Sequence, residues 1–424
     1  MKNYKHRIAD ALLERKLEGM GAVLIEGPKW CGKTTTAEQH AKSVVYMDDT
    51  EEGSNWQQLA ALNPKAVLTG EAPRLIDEWQ NVPALWDAVR FEVDHREEDG
   101  QFILTGSSVP VDDGRMRHSG TGRVSWLTMR PMTLWESGES NGSVSLRELF
   151  NGPASLLAES SLTLDDIAYL TCRGGWPRAS LQKKEVALDR AFDYFDAVVK
   201  KDISRVDGVR RDPERTRRIL RSYARHQGTQ TPVSSIADDV RANDVDSVDD
   251  KTIYAYIAAL KKIFVIEDMP AWNPNLRSKT AIRTSDNRYF VDPSIATAAL
   301  GLGPKDLLND LNTFGLLFET LCVRDLRVFA DALGGQVFHY RDKNGLECDA
   351  VVHLRNGSYG LIEIKLGGEK LIGEGAASLS ALANKIDTMK MKEPAFKMVL
   401  TAVGKFAFRR EDGVYVVPIG CLRD

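Results

Sequence analysis

The chain of 424 residues has only five cysteines (Cys31, Cys172, Cys322, Cys348 and Cys421), widely separated and never in a Cys-x-x-Cys spacing. That scarcity excludes a disulfide framework and a cysteine-based zinc site, and it suits a reducing, cytoplasmic setting. Long apolar runs are also missing, with no stretch of about 18 apolar residues anywhere, and the N-terminal MKNYKHRIADALLERKL is charged and amphipathic where a signal segment is apolar. Neither membrane spanning nor export is expected. An excess of one charge is missing as well: 56 Lys+Arg against 60 Asp+Glu leave a net of −4, so no whole-molecule basic field announces a nucleic-acid partner. What is present is an ordinary globular composition, 43% hydrophobic and 27% charged. At roughly 150 residues per domain, the length accommodates two to four domains with real cores.

The first chemistry-bearing feature follows the apolar run Ala22–Ile25, which reads as a buried strand. The chain continues Gly27-Pro28-Lys29-Trp30-Cys31-Gly32-Lys33-Thr34-Thr35 and then becomes helical to about Ala41. This is GxxxxGK[ST] in the context its chemistry needs. A glycine-rich loop lets successive backbone N–H groups converge on phosphate, and the following helix N-terminus adds positive potential. Lys33 is expected to reach the β- and γ-phosphates of ATP, and the Thr34 hydroxyl to ligate Mg²⁺. Cys31 lies near Lys33 and a helix N-terminus, conditions that favour a thiolate, but it reads as a small side chain tolerated by the loop.

Hydrolysis also needs a carboxylate on the metal side and a group that orients water, both at the end of a neighbouring strand. Arg74-Leu75-Ile76-Asp77-Glu78 supplies them, Asp77 as the Mg²⁺-side ligand and Glu78 as the residue that polarises water. A further apolar strand, Phe102-Ile103-Leu104, ends in Thr105-Gly106-Ser107-Ser108, where Thr105 and Ser107 are candidates for sensing the γ-phosphate. Strands near 22–26, 44–47, 74–77, 102–105 and 123–128, separated by helical stretches, predict an α/β P-loop domain with a parallel sheet.

The segments EGPKWCGKT, RLIDEWQ, FILTGSS and GRVSWLTMRPMTLWE together resemble the prokaryotic AAA-type ATPases that are followed by a conserved domain of unknown function. The resemblance covers nearly the whole chain. It implies Walker B roles for Asp77 and Glu78, a sensor strand at TGSS, and a core closed by the RPMTLWE stretch. An arginine stabilising transition-state charge is sought among Arg115, Arg117, Arg123 and Arg130, with Arg123 favoured. Whether it serves its own chain or a neighbour's in an oligomer is not readable.

After Glu136 the polar SGESNGSVS stretch (137–145) marks a linker, so the ATPase domain is expected over 1–136 and a linker and helical segment over 137–210. Helices are expected at Leu146–Phe150, Leu162–Leu170 and Ala187–Lys200, with a tight turn at Cys172-Arg173-Gly174-Gly175-Trp176-Pro177. The resemblance places this turn, and Lys201-Asp202-Ile203, at the start of the appended domain, without giving either a role. Residues 200–225 hold ten basic groups against four acids, a local excess able to neutralise phosphates without reading sequence. Two helices and a short strand downstream, with Ile253, Ile257 and Leu260 on a buried face and Tyr254, Tyr256, Lys261 and Lys262 outward, fit a winged-helix-like module over 211–290. Six acids against one arginine between Asp238 and Asp250 oppose DNA contact there, which leaves DNA and a protein partner both open.

From Phe314 a helix and then strands at 336–341, 347–354, 359–365 and 397–401 predict a restriction-endonuclease-like α/β domain over 311–424. Asp349 on one strand and Glu363-Ile364-Lys365 on the next place both acids on one side, because residues i and i+2 of a strand share a face. The stretch HYRDKNGLECDAVVHLRNGSYGLIEIK resembles the PD-(D/E)xK phosphodiesterases, with Cys348 where that pattern has proline. The resemblance implies Asp349, Glu363 and the helical Glu319 as metal ligands, and Lys365 beside the scissile phosphate. The expectation for the whole chain is an ATP-hydrolysing switch or motor, coupled to DNA through its C-terminal modules. The alternatives are an ATP-gated, metal-dependent DNA nuclease and a signalling or scaffold ATPase that binds protein.

Overall fold

Continuous apolar runs such as AVLI and FIL suit strands covered on both faces. The computed structural model describes residues 4–49, 52–107, 120–152, 156, 158–242, 248–274, 285–388 and 391–424. Near the N-terminus it forms β1 (Ala22–Glu26), β2 (Ser43–Tyr46), β3 (Arg74–Asp77), β4 (Phe102–Gly106) and β5 (Val124–Thr128). All pair in parallel, in the order β2-β3-β4-β1-β5. Val23, Ile25, Leu75 and Ile103 pack on one face with Leu13 and Ala37 from the helices Ile8–Leu17 and Lys33–His40. Their alternates Ala22, Leu24, Ile76 and Leu104 pack on the other with Trp79 and with Leu85, Trp86 and Val89 of helix Ala84–Arg96. The parallel α/β core expected from the sequence is therefore present, its strands within one residue of their predicted limits.

Because the strands are parallel, their C-terminal ends share one edge of the sheet. The loop after β1, the Asp77-Glu78 pair at the end of β3, and Thr105 to Ser107 at the end of β4 all emerge there. Arg123 precedes β5 and sits at the opposite edge, where its carbonyl accepts from Ala22 N at 3.1 Å.

The chain divides into two units, the first comprising Met1–Pro131, Lys201–Arg210 and Ala258–Phe264, the second Met132–Lys200, Arg211–Ile257 and Val265–Asp424. The strands of the second unit are β6 (Val144–Ser145), β7 (Ala158–Glu159), β8 (Gly335–Arg341), β9 (Glu347–Leu354), β10 (Tyr359–Lys365), β11 (Phe396–Thr401), β12 (Phe406–Arg409), β13 (Tyr415–Pro418) and β14 (Leu422–Arg423). Seven of them form a mixed sheet ordered β7-β12-β13-β11-β10-β9-β8, while β6 pairs with β14 alone. β8, β9 and β10 run antiparallel, and β10, β11 and β13 are parallel. Helices Leu311–Ala332 and Glu369–Lys385 pack against this sheet.

A buried charge closes the helical part of the second unit. Arg324, fully buried on helix Leu311–Ala332, meets Asp292 Oδ2 at 3.0 Å and Asp325 Oδ1 at 2.7 Å. The two carboxylates reach further. Asp292 Oδ2 accepts from Gly175 N at 2.9 Å and Asp325 Oδ2 from Leu134 N at 2.9 Å, while Gly175 O accepts from Met132 N at 2.6 Å. The double glycine is required here: a Cβ on Gly174 would come within 2.3 Å of Asp292 Oδ1, and one on Gly175 within 2.1 Å of Met132 O.

Part of the basic stretch is engaged internally, while Lys201, Arg205, Arg210 and Arg221 are exposed. Arg217 pairs with Asp196 and Arg225 with Asp239, while Arg211 is buried with its guanidinium over Tyr256. In helix Asp250–Lys262, Ile253, Ile257 and Leu260 are buried as their spacing predicts and Tyr254 is exposed. Tyr256 corrects the expectation. It is buried, and its hydroxyl accepts from Asp212 N at 3.0 Å. Residues 243–247 of the acidic stretch lie outside the described residues.

His339 on β8 is 2% exposed, its Nε2 is 3.1 Å from Ser285 O, and burial pushes its pKa down to about 4. A folded pKa below the unfolded value means stability that is complete above about pH 6.5 and lost as pH falls through about 4. Acid melting curves should therefore lose up to about 3 kcal/mol from this group between pH 7 and 4, and His339→Gln should show a shallower pH slope in calorimetry.

Candidate functional site

The turn from β1 into helix Lys33–His40 depends on two glycines. Gly32 has φ +102°, and Gly27 has φ +150° with room for no side chain, because a Cβ there would come within 2.0 Å of Met129 O. Both conformations suit glycine and strain other residues. Lys33 is buried, and its ammonium donates to Gly27 O at 2.9 Å and Pro28 O at 2.8 Å, so the lysine curls back over the loop that precedes it.

Thr34 Oγ1 donates to Asp77 Oδ1 at 2.6 Å, and Thr105 Oγ1 donates to the same oxygen at 2.5 Å. Thr34 and Asp77 are an all-oxygen donor pair of the kind that suits Mg²⁺, and they already touch. Glu78 follows in the left-handed region, φ 52° and ψ 45°, a conformation that costs a non-glycine residue free energy and is concentrated at functional sites. Its Oε2 accepts from Ser107 Oγ at 3.1 Å and from Gln80 Nε2. The structure thus brings Gly27, Lys33, Thr34, Asp77, Glu78, Thr105 and Ser107 to one edge of one sheet.

Other loop residues are placed differently. Lys29 Nζ pairs with Asp202 Oδ1 at 2.7 Å, and Asp202 ends the π-helix Val198–Asp202. The Lys201-Asp202-Ile203 stretch, which had no role in the sequence reading, therefore supplies a partner to the loop. Trp30 is 47% exposed with φ 67°. Cys31 is buried in the core with its Sγ 3.4 Å from Met129 O, and Thr35 O accepts from Gln39 Nε2 at 3.0 Å.

Arg123 does not join the site of its own chain. It lies at the far edge of the sheet and its guanidinium pairs with Asp94 on helix Ala84–Arg96. Nearness to a strand suggested it, but it precedes β5, whereas the phosphate edge is where strands end. Arg115 and Arg117 lie outside the described residues.

Two residues went unnoticed in the sequence. Arg7, buried just before the first helix, donates from Nη1 to Cys31 O at 2.7 Å and from Nη2 to Arg130 O at 2.8 Å, bracing the loop from beneath. No spacing signal links it to a motif so far along the chain. Gln80, which donates to Glu78, is the second.

In the second unit, Asp349 and Glu363 lie on neighbouring strands β9 and β10, as expected. Lys365 Nζ is 3.2 Å from Asp349 Oδ2 and 2.6 Å from Glu363 Oε2, and Asp349 Oδ2 also accepts from Ile364 N at 2.7 Å. Burial, followed by the nearby Asp349, pushes Glu363 up to about 8 against the pull of Lys365. Glu319 takes the hydroxyl hydrogen bond of Tyr289, and burial and then Asp349 raise its pKa well above the carboxylate range. Glu319 thus lies within electrostatic reach of Asp349 and Glu363, and among the described residues no group of three or more His, Cys, Asp and Glu is arranged to hold a metal ion. The Lys365 ammonium is within ion-pair distance of both carboxyl groups.

Residues 20–137 match the family model described as AAA domain, which takes in the loop after β1, β3 and β4. Residues 164–306 and 314–422 match two models described as domains of unknown function (DUF8612 and DUF4143). Uncharacterized proteins of Mycobacterium bovis and Mycobacterium tuberculosis are each 24% identical over 417 residues, covering 98% of this chain and 83% of the relative. The Walker-type ATPase of Pyrococcus abyssi, a solved structure, is 15% identical with a TM-score of 0.44, covering 70% of this chain and 96% of that one.

Arg7→Ala would leave Cys31 O and Arg130 O without this charged donor. The expected loss is roughly 2–3 kcal/mol of stability by denaturant titration, together with weaker nucleotide binding by calorimetry.

Proposed function

We propose that the protein binds ATP with Mg²⁺ at the loop after β1 and hydrolyses it, the bound nucleotide acting as a switch for contact with DNA. The observation that carries this reading is the convergence of Lys33, Thr34 and Asp77, with Thr34 Oγ1 2.6 Å from Asp77 Oδ1 at the mouth of a glycine-shaped phosphate loop. Lys33 neutralises phosphate charge, and the backbone N–H groups that begin helix Lys33–His40 orient the phosphates. Mg²⁺, held by the Thr34 hydroxyl and Asp77, would supply charge neutralisation at the phosphate oxygens. Glu78 accepts a hydrogen bond from water and so aims its lone pair, a role in which a positioned carboxylate contributes roughly 10²- to 10⁴-fold. Thr105 holds the Asp77 carboxylate and Ser107 that of Glu78, so the end of β4 steadies both acids.

The DNA part of the reading is supported by element order. Helices Pro213–Arg225, Val233–Arg241 and Asp250–Lys262 precede antiparallel bridges Ile266–Phe290 and Met269–Asn287, the succession of a winged helix, and Lys251 and Tyr254 stand exposed on the third helix.

Lys33→Ala should abolish nucleotide binding, whereas Glu78→Gln should bind normally and lose turnover by about 100-fold or more, followed by phosphate release. Undiminished hydrolysis by the Glu78 variant would overturn the assignment. Duplex or single-stranded DNA should raise the ATPase rate of the full chain; a rate indifferent to both would favour a protein partner instead.

A further inference from the structure

Gln80 follows the Asp77-Glu78 pair by two residues and closes the RLIDEWQ segment, in which the sequence assigns it no role. The one-turn 3₁₀ helix Trp79–Asn81 turns the chain back immediately after β3, and Gln80 Nε2 donates to Glu78 Oε2. The same oxygen accepts from Ser107 Oγ at 3.1 Å. The other end of the amide is unpaired. Gln80 Oε1 is buried and has no hydrogen-bond partner among the described residues. It lies against Gly106, where a Cβ would come within 3.0 Å of it.

A glutamine present only for packing would satisfy both ends, because a buried amide oxygen without a donor costs free energy. Reversing this amide would set its carbonyl oxygen against the Glu78 carboxylate, so the donor end is fixed on Glu78 and the acceptor end is left over. A glycine at 106 keeps the space that this orientation needs.

We propose that Gln80 is a positioning residue that acts through Glu78, a role that rests on the ATPase reading above. Two donors on Oε2, one from Gln80 and one from Ser107, hold a side chain with three rotatable torsions in one arrangement and leave Oε1 to accept from the attacking water. The left-handed backbone of Glu78 and the tight turn after it bring the two side chains together although they are only two residues apart.

The test is a double-mutant cycle on the full chain, with steady-state ATP hydrolysis and nucleotide binding measured for wild type, Gln80→Leu, Glu78→Ala and the double variant. Gln80→Leu should lower kcat by about 10- to 100-fold with KM and nucleotide Kd within about threefold, and should cost nothing further in the Glu78→Ala background. Gln80→Glu, which preserves size and replaces the donor with an acceptor, should lose kcat similarly and guards against a packing defect in the leucine variant. Either Gln80 variant turning over at the wild-type rate, or an equal loss with and without Glu78, overturns the role of Gln80 while leaving the ATPase assignment standing. A wild-type chain that binds no ATP or hydrolyses none overturns that assignment itself, and this inference with it.

Discussion

A guanidinium taken out of water must be paired with opposite charge, and Arg324 is the point at which the second unit meets that demand, hydrogen-bonded through Nε and Nη1 and ion-paired through Nη2. Asp292 and Asp325 neutralise it, and the oxygens they have left bind Gly175 N and Leu134 N. Four stretches far apart in sequence are thereby fixed together around one charge. Burial raises the Asp325 pKa to about 6 even beside Arg324. The first of these stretches is reached within a few residues of the end of β5, so the chain leaving the parallel sheet is gripped almost at once.

The same cluster explains what the sequence could show and what it could not. The motif around Lys33 was legible because phosphate binding is a local property: a strand, two glycines with positive φ, and a helix start lie within a dozen residues. Asp77, Glu78, Thr105 and Ser107 were legible for a related reason, since each ends an apolar run and the ends of parallel strands share an edge. The glycine pair at 174 and 175 could be recognised as a turn but not understood, because the atoms that forbid a Cβ belong to Asp292, Ser294 and Met132. Arg7 and Gln80 escaped notice because their value lies in single hydrogen bonds, which leave no periodic trace. Spacing turns Tyr256 outward, while the hydrogen bond from Asp212 N keeps it inside, and Arg123 stands paired with Asp94, away from the site of its own chain.

Charge counting does not say which groups are spoken for. In the basic excess of residues 200–225, Arg211, Arg217 and Arg225 meet Tyr256, Asp196 and Asp239, while Lys201, Arg205, Arg210 and Arg221 stand exposed. The carboxylates of the second unit make the same point. Asp349 and Glu363 occupy the strand positions that the pattern predicts, and Lys365 reaches both, so the three residues form one buried cluster in which burial and Asp349 raise the Glu363 pKa. Position along strands was readable; the contacts among these side chains were not.

The first unit is discontinuous in sequence, taking in Lys201–Arg210 and Ala258–Phe264 as well as its N-terminal stretch. Divisibility follows from that. A fragment cut near residue 136 keeps every motif of the nucleotide site, yet it discards Asp202, the partner of Lys29 in the phosphate loop. Such a fragment removes part of its own unit, and the shortest continuous stretch that keeps the whole unit runs from residue 1 to 264.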